Sequence, residues 1–592
     1  MRPLIERANE LVDNLCRRGE VPQLLIEAPT GYGKTVGGPK IFSTIVHRGF
    51  ASSFIHVLPL RAIIRDFYLC TLLRSMASNI DFLKQVCGEG SGLEEVRKAF
   101  ESIGIGTNDL AYQMGEHLER LGIERGVLRK EPLFDARYIV TTVDSFLYNL
   151  CRIPITEIFS LRKHYAIPRL RIFISGVYFD EAHLLVREED EDPTDSQQLF
   201  TVFTTALETL NTMHVPLIMA SATIPKNFVE VLPGSVKSSV YIVRLGIKNQ
   251  YMGRVIAVED RDFIDNVTSI EWRTNVISDQ EVVSKAIDYV ESGKRVLVAC
   301  DTLRLAYRRF RELVKALGRD SVVVIHGLMS QRDREEALKR IRYAKVVVAT
   351  SVIEAGVNIS LDTLITDCMR ITSIIQRVGR VCRDLKCEDV EINLVKDMCR
   401  QEVIDFVKNN TAICWRLPIN YGGVVGYGKL LDIIKLPQED QRLKGELQGL
   451  LQPLFVSSYD INDLLKRRNY ALIRTFLVSV YVGDVSDKKE VSYSDLVSDT
   501  ITLSHRYVDR LVRSGCICGV VAGYGDYDAI ELRKVCELND IVGRDGGFDL
   551  TNYVRRCLMK ALQQGALFVG LCMYPRCYVR GEGVNLDVLR VS

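Results

Sequence analysis

One stretch constrains the fold of this chain more than any other: Leu24-Leu25-Ile26-Glu27-Ala28-Pro29-Thr30-Gly31-Tyr32-Gly33-Lys34-Thr35. An apolar run that reads as a buried strand feeds a loop with two glycines, and a helix can begin at Lys34 and Thr35. That is the layout of a phosphate-binding loop. Glycines carry no side chain to keep a polyphosphate away from the backbone N–H groups, Lys34 brings positive charge to the β and γ phosphates, and the Thr35 hydroxyl is a ligand for Mg²⁺. Thr30, Gly31, Gly33, Lys34 and Thr35 are therefore the candidates for holding ATP and its Mg²⁺. Ala28 stands where the strict pattern has its first glycine.

Hydrolysis also needs a strand that ends in carboxylates. Residues 171–184, RIFISGVYFDEAHL, supply it: apolar residues read as a buried strand, with Asp180, Glu181, Ala182 and His183 at its carboxyl end, where open α/β sheets bind ligands. Asp180 is expected to hold Mg²⁺ and Glu181 to polarise the attacking water.

With 592 residues, 47% hydrophobic and 26% charged, the chain has a globular composition and room for roughly three or four domains. A net charge of +2 neither demands nor excludes nucleic acid, because a basic groove can exist on a balanced chain. No apolar run approaches the roughly 18 residues of a membrane span, and the N-terminal twenty residues read as an amphipathic helix, with Leu4, Ile5, Ala8, Leu11, Val12 and Leu15 on one face. A cytoplasmic protein without a membrane partner is expected. The 16 cysteines form no zinc knuckles. Cys516 with Cys518, and Cys572 with Cys577, read as small buried residues or as disulfides of the kind found inside hyperthermophiles.

The A-x-T-G-x-G-K-T loop and the DEAH box together resemble the superfamily 2 helicases and translocases, in which alanine is common at the position of Ala28. Other segments resemble that family's motifs in the family's order. FIHVLPLRAIIRDF (54–67) resembles motif Ia, with Arg61 and Arg65, and YIVTTVDSF (138–146) resembles motif Ib, with Thr141, Thr142 and Asp144. IMASATIP (218–225) resembles motif III, whose Ser221 and Thr223 are expected to couple the ATP site to the strand-binding face. Cys300-Asp301-Thr302 resembles motif IV. KVVVATSVIEAGVNIS (345–360) resembles motif V, with Thr350, Gly356 and Asn358, and SIIQRVGRVCR (373–383) resembles motif VI. Arg61, Thr141, Thr142, Thr302 and Thr350 are the resulting nucleic-acid candidates; Ser221, Thr223, Gly356 and Asn358 are the coupling candidates. In motif VI, Arg380 and Arg383 stand three residues apart, a spacing that puts both on one helical face. They are expected to enter the ATP site as arginine fingers, with Gln376 near the γ phosphate, giving Lys34, Asp180, Glu181, Gln376, Arg380 and Arg383 as the catalytic set. Asn358 departs from the family's usual aspartate: it can hydrogen-bond but brings no negative charge, so turnover is expected to be slowed without being lost.

The wording of motifs V and VI, with LPLRA and TTVDSF, looks most like the CRISPR-associated helicase of type I interference systems. That resemblance implies an α/β fold of two tandem RecA-like parallel-sheet lobes with a C-terminal accessory domain. The expected division is 1–240 for the first lobe, with a helical insertion at about 88–130, 241–419 for the second lobe, and 420–592 for the accessory domain. It also implies an ATP-dependent 3′–5′ translocase on single-stranded DNA that works with an RNA-guided surveillance complex. None of the eight histidines precedes an aspartate and about twenty residues precede the phosphate loop, so the family's HD nuclease is expected on a separately encoded partner. Two other readings fit the core motifs: a superfamily 2 enzyme of DNA repair or RNA remodelling, and a nucleotide-gated DNA-binding scaffold with little turnover.

Overall fold

The computed structural model describes residues 2–59, 61–77, 83, 87, 92–114, 128–153, 164, 166–186, 193–225, 227–354, 359–451, 467–468, 476–483, 485, 490–526 and 528–590. The chain builds two compact units, Met1–Asp279 with Glu354–Ile461, and Gln280–Ile353 with Asn462–Ser592. Among the described residues no helix is long and apolar enough to cross a membrane.

The first unit begins with helix α1 (Pro3–Arg17), which buries the apolar face that the sequence spacing indicates. It lies on α2 (Lys34–His47) so closely that a Cβ at Gly37 would stand 2.6 Å from Ile5 Cγ2. Behind them runs a nine-stranded sheet of β1 (Gln23–Glu27), β2 (Ser53–Leu58), β3 (Leu110–Gln113), β4 (Tyr138–Thr142), β5 (Ser175–Phe179), β6 (Leu217–Ser221), β7 (Tyr241–Leu245), β8 (Gln250–Met252) and β9 (Val255–Val258). Its order is β3-β4-β2-β5-β6-β1-β7-β9-β8, parallel throughout except for β8 against β9. Central strands covered on both faces need continuous apolar residues, which is why β1, β2, β5 and β6 are legible as runs. Parallel strands also end together. The neighbouring order β5-β6-β1 therefore sets the DEAH box, Ser221 and the phosphate loop side by side, and Ala28 N donates to Ser221 O at 3.0 Å.

Six more strands follow: β10 (Glu271–Ile277), β11 (Val296–Ala299), β12 (Val322–Ile325), β13 (Val346–Ala349), β14 (Thr363–Cys368) and β15 (Asp389–Cys399). In the first unit β15 pairs in parallel with both β10 and β14. Two short strands, β16 (Ile413–Cys414) and β17 (Val425–Gly426), pair with each other later in the same unit.

The domain limits differ from those read in the sequence. Residues 241–258 do not begin a second lobe: β7 pairs directly with β1, and β9 with β7, so they extend the first sheet. The segment 88–130 is not simply helical either. It contains the helix Leu93–Glu101, but also the edge strand β3, paired to β4; residues 115–127 lie outside the described residues. Nor does the accessory region separate at 420, because residues up to Ile461 belong to the first unit. In each case a short strand or strap of mixed polarity is stabilised by its neighbours, a tertiary effect that local pattern does not carry.

In the second unit β13 pairs in parallel with β11 and β12. Its C-terminal part holds β18 (Leu477–Tyr481), β19 (Glu490–Val491), β20 (Thr500–Ser504), β21 (Ile517–Asp526), β22 (Ala529–Cys536), β23 (Phe568–Met573) and the small pair β24 (Tyr578–Val579) and β25 (Gly583–Val584). The larger sheet runs β19-β22-β21-β23-β18-β20, and Tyr481, Leu496, Val521, Ile530 and Phe568 pack within its core. Cys516 pairs with Cys577 and Cys518 with Cys572, crosswise to the sequence-adjacent pairs. The β24–β25 hairpin is anchored within the unit: Glu582 O accepts from Tyr307 Oη at 2.6 Å and is 2.7 Å from His326 Nε2, while Tyr578 Oη accepts from Ser330 N at 2.7 Å.

His326 makes this anchor pH-sensitive. Leu328 N donates to its Nδ1 at 3.1 Å, so Nε2 carries the proton toward Glu582 O and the ring is neutral. Burial, with Arg334 nearby, pushes it down to about 4, against the pull of that carbonyl. A group whose folded-state value lies below its unfolded value of 6.5 contributes stability above pH 6.5 that is lost as pH falls toward 4. We expect a loss on the order of 3 kcal/mol across that window. Thermal melting at pH 7.5 and pH 4.5 should show the wild type losing more stability than His326→Gln over the same interval.

Candidate nucleotide site

The phosphate loop takes the backbone shape its glycines permit: Gly31 and Gly33 have φ of +76° and +93°, in the left-handed region that side chains disfavour. Gly33 caps α2, the helix whose first residue is Lys34. Lys34 is buried, with Nζ 3.1 Å from both Ala28 O and Pro29 O and 3.9 Å from Glu181 Oε1. Thr35 Oγ1 donates to Asp180 Oδ2 at 2.5 Å, which joins the two residues expected at the metal.

Asp180 and Glu181 are adjacent but differ in environment. Burial raises the Asp180 carboxyl, yet His56, Lys34 and Thr35 together hold it below its ordinary value. Burial raises Glu181, and Asp180 adds to that against the pull of Lys34 and Arg380, so the balance falls above the usual range. The chemistry divides accordingly: Asp180 stays an anion suited to a cation, and Glu181 is the carboxylate readier to take a proton. Glu181 holds a φ of +50°, a strained conformation for a residue with a side chain, of the sort that concentrates at functional sites.

His56, outside the candidates named from the sequence, lies behind Asp180. Its Nδ1 is 2.9 Å from Tyr138 Oη and its Nε2 is 3.8 Å from Asp180 Oδ2, and burial lowers it against the pull of Asp180. Gly38 leaves it room, because a Cβ there would stand 2.9 Å from its Cε1. On the other side of the box, His183 Nδ1 is 2.9 Å from Ser221 Oγ, and Ser221 Oγ accepts from Thr223 N at 3.2 Å. The DEAH box thus reaches the SAT turn directly, through the two residues singled out for coupling.

The motif VI residues come to the same unit. The helix Ile371–Val378 carries buried Gln376. It ends before the two arginines, so Arg380 and Arg383 do not share a helical face; they sit in the turn that follows, where Cys382 has a φ of +46°. Arg380 donates to Glu354 O at 2.6 Å and interacts electrostatically with Glu181. Burial and Arg383 both work against its charge, yet a guanidinium keeps its proton, which makes an anion its fitting partner. Arg383 is held through its backbone, which donates to Ser360 Oγ at 3.0 Å. Arg377, three residues before Arg380, is fully buried and ion-paired to Glu354 at 2.9 Å, a structural role.

The expected nucleic-acid residues are spread more widely. Arg61 is half-buried at the start of α3 (Arg61–Asp66). Thr141 Oγ1 donates to Gln113 O at 2.9 Å and Thr142 Oγ1 caps the helix Val143–Leu150. In the second unit Thr302 Oγ1 caps the helix Leu303–Leu317, and Thr350 N donates to Ile325 O at 3.3 Å. Three of the five thus have hydroxyls engaged in local backbone bonds. Gly356 and Asn358 lie outside the described residues.

The donor set fits a magnesium nucleotide. Among the described residues Gln376 Nε2 and Glu181 Oε2 are buried with no hydrogen-bond partner, the left-handed glycines leave their amides unshielded, and Lys34 and Arg380 bring cationic charge to the same place. Sequence reading missed Arg416, whose guanidinium touches Thr30, and Tyr427, bonded to Ala222; neither belongs to a recognisable motif.

Known proteins resemble this chain in sequence and in fold. The family model for the C-terminal part of the CRISPR-associated nuclease/helicase Cas3 matches residues 292–386. A CRISPR-associated helicase Cas3 of Thermoproteus tenax is 25% identical over 376 residues, 61% of this chain and 54% of that protein. A CRISPR-associated nuclease/helicase Cas3 of Streptococcus thermophilus is 23% identical, over 61% of this chain and 39% of that one. The chain thus aligns with about half or less of these relatives. Among solved structures, T. fusca Cas3 with AMPPNP covers 85% of this chain and 64% of its own, with a TM-score of 0.53 and 15% identity. That likeness is one of fold, and it is the fold of tandem RecA-like lobes expected from the motifs.

Proposed function

We propose, for a chain related to the CRISPR-associated Cas3 helicases, that it is an ATP-dependent helicase that translocates 3′ to 5′ on single-stranded DNA in CRISPR interference. In this reading it works with an RNA-guided surveillance complex and a separately encoded nuclease. The observation that carries the reading is the convergence of Lys34, Asp180, Glu181 and Arg380 in one place, from segments more than 300 residues apart in sequence.

Lys34 and the amides of the glycine loop bind the phosphates, and Arg380 with Gln376 faces the transferred group. Thr35 and Asp180 would hold Mg²⁺, which when bound neutralises phosphate charge and orients the triphosphate. Glu181 orients the attacking water and accepts its proton, helped by the environment that raises its carboxyl. His183 and Ser221 pass the local change at the DEAH box to Thr223. Sequence specificity is left to guide pairing, so backbone contacts on the DNA suffice.

Steady-state ATP hydrolysis with single-stranded DNA, duplex DNA or RNA added tests this. Single-stranded DNA should stimulate most, and Lys34→Ala should lower the stimulated rate by about 10²-fold or more, as loss of a preorganised charge at a phosphate does. Stimulation mainly by RNA would overturn the DNA reading in favour of RNA remodelling. A wild-type rate equal to that of Lys34→Ala would point to a nucleotide-gated scaffold.

A further inference from the structure

Residues 414–431, CWRLPINYGGVVGYGKLL, form a strap across the nucleotide site. Its glycine content suggests a loose hinge, but its contacts are those of a fixed part. Gly426 and Gly428 are pressed against carbonyls of the same strap, Leu417 O and Ile419 O for the first and Pro418 O for the second, leaving no space for a Cβ. Gly426 N donates to Asn420 Oδ1 at 3.0 Å, and Tyr427 N to Leu417 O at 2.9 Å. Trp415 is fully buried and donates to Thr274 Oγ1 of β10 at 3.0 Å.

Two side chains connect this part to the motifs. Arg416, only 2% exposed, donates from NH1 to Thr30 O and Thr30 Oγ1, both at 3.2 Å, on the phosphate loop. From NH2 it donates to Gly379 O, Val381 O and Cys382 O at 3.4, 3.1 and 3.5 Å, on the turn that carries Arg380 and Arg383. Gly379 itself touches the loop: a Cβ there would stand 2.9 Å from Thr30 Oγ1. At the far end of the strap Tyr427, 1% exposed, donates from Oη to Ala222 O at 3.0 Å, the middle residue of the SAT turn. One stiff segment therefore holds the phosphate loop, the arginine turn and the SAT turn.

We propose that this strap reports the nucleotide state of the phosphate loop and arginine turn to the SAT turn, with Arg416 and Tyr427 as its positioning residues. The proposal rests on the reading of this site as one that binds and turns over ATP. Closure of Arg380 on a γ phosphate displaces the three carbonyls that Arg416 holds, and the bond from Tyr427 N to Leu417 O, across the base of the strap and bypassing the exposed Gly422 and Gly423 at its tip, passes that displacement to Ala222. The signal reaches the coupling turn by a route separate from the His183–Ser221 contact.

Hydrogen exchange of the full chain, with and without a non-hydrolysable ATP analogue, reads the strap directly through the protected amides of Val424, Gly426 and Tyr427. In wild type the analogue should change their exchange on the order of tenfold, within the range of ordinary coupling between sites. Arg416→Ala should abolish that response while the phosphate-loop amides still respond, and Arg416→Lys, which lacks the planar fork, should restore it only in part. Tyr427→Phe, which removes a single hydroxyl, should retain the strap response but lower the ratio of DNA-stimulated to unstimulated kcat, with the KM for ATP kept within about twofold. Strap amides indifferent to bound analogue in wild type, or an undiminished response in Arg416→Ala, would overturn the proposal. If Arg416→Ala does not fold, an unchanged stimulation ratio in Tyr427→Phe overturns it instead. If phosphate-loop amides also ignore the analogue, the reading of the nucleotide site fails first and the strap proposal falls with it.

Discussion

Replacing Arg380 with alanine is expected to lower kcat for DNA-stimulated ATP hydrolysis by about 10³-fold, the lower end of what an arginine finger contributes. Arg380 is the cation of motif VI tied most directly to the acidic pair: it interacts electrostatically with Glu181, and its hydrogen bond to Glu354 O fixes where it stands. Its charge is opposed by burial and by Arg383, so it gains most from an anion that forms or concentrates charge in the transition state. Arg380→Lys should rescue little, because an ammonium cannot keep the bond to Glu354 O and meet a phosphate oxygen with the same planar geometry. Affinity for the ground-state nucleotide should change far less than kcat. Single-turnover hydrolysis beside equilibrium binding of a fluorescent nucleotide separates the two. A kcat within about tenfold of wild type would remove Arg380 from the catalytic set and leave Arg383 to be tried.

The second large effect is expected at Glu181. Glu181→Gln keeps the shape of the side chain and its hydrogen-bonding reach but cannot accept a proton, so kcat should fall by about 10²–10⁴-fold. Nucleotide binding should persist, because Lys34 keeps its contacts to Ala28 O and Pro29 O and loses only a carboxylate 3.9 Å away. The raised carboxyl also sets a direction with pH: turnover should decline as acid protonates Glu181, and should do so at a higher pH than an ordinary glutamate would give. A pH profile of kcat/KM with an acidic limb unchanged in Glu181→Gln, or a variant as active as wild type, would assign the proton to another group.

The two halves of the nucleotide site differed in how plainly they could be read. Lys34, Thr35, Asp180 and Glu181 follow buried strands directly, and each motif is short enough for its residue types and spacing to imply its geometry. Motif VI was legible as chemistry but not as shape. The spacing of Arg380 and Arg383 suits a helix, yet the helix ends at Val378, and Leu361 N donates to Arg380 O at 3.0 Å to hold the turn open. His56 was visible only as an apolar-strand histidine, because its significance depends on Asp180 and Tyr138 from two other strands. Thr142 and Thr302 looked like phosphate contacts because small hydroxyls at strand ends suit both tasks; in the fold both cap helices by accepting a backbone N–H, which leaves the hydroxyl proton to donate.

Through the resemblance its motifs carry, the sequence pointed to the parallel α/β class; by itself it determined the strands β1 and β5, the amphipathic α1 and the candidate phosphate loop and carboxylates. All of these depend on residues close in the chain, where hydrophobic periodicity and the steric needs of glycine act locally. Only the tertiary structure decided that residues 241–258 complete the first sheet, that Gly426 and Gly428 pack against carbonyls of their own segment, and that Arg416 grips Thr30. Those outcomes depend on which edge, carbonyl or turn a segment meets after the chain has returned from hundreds of residues away. A short strand or a lone buried arginine acquires its partner, and with it its role, only from that meeting.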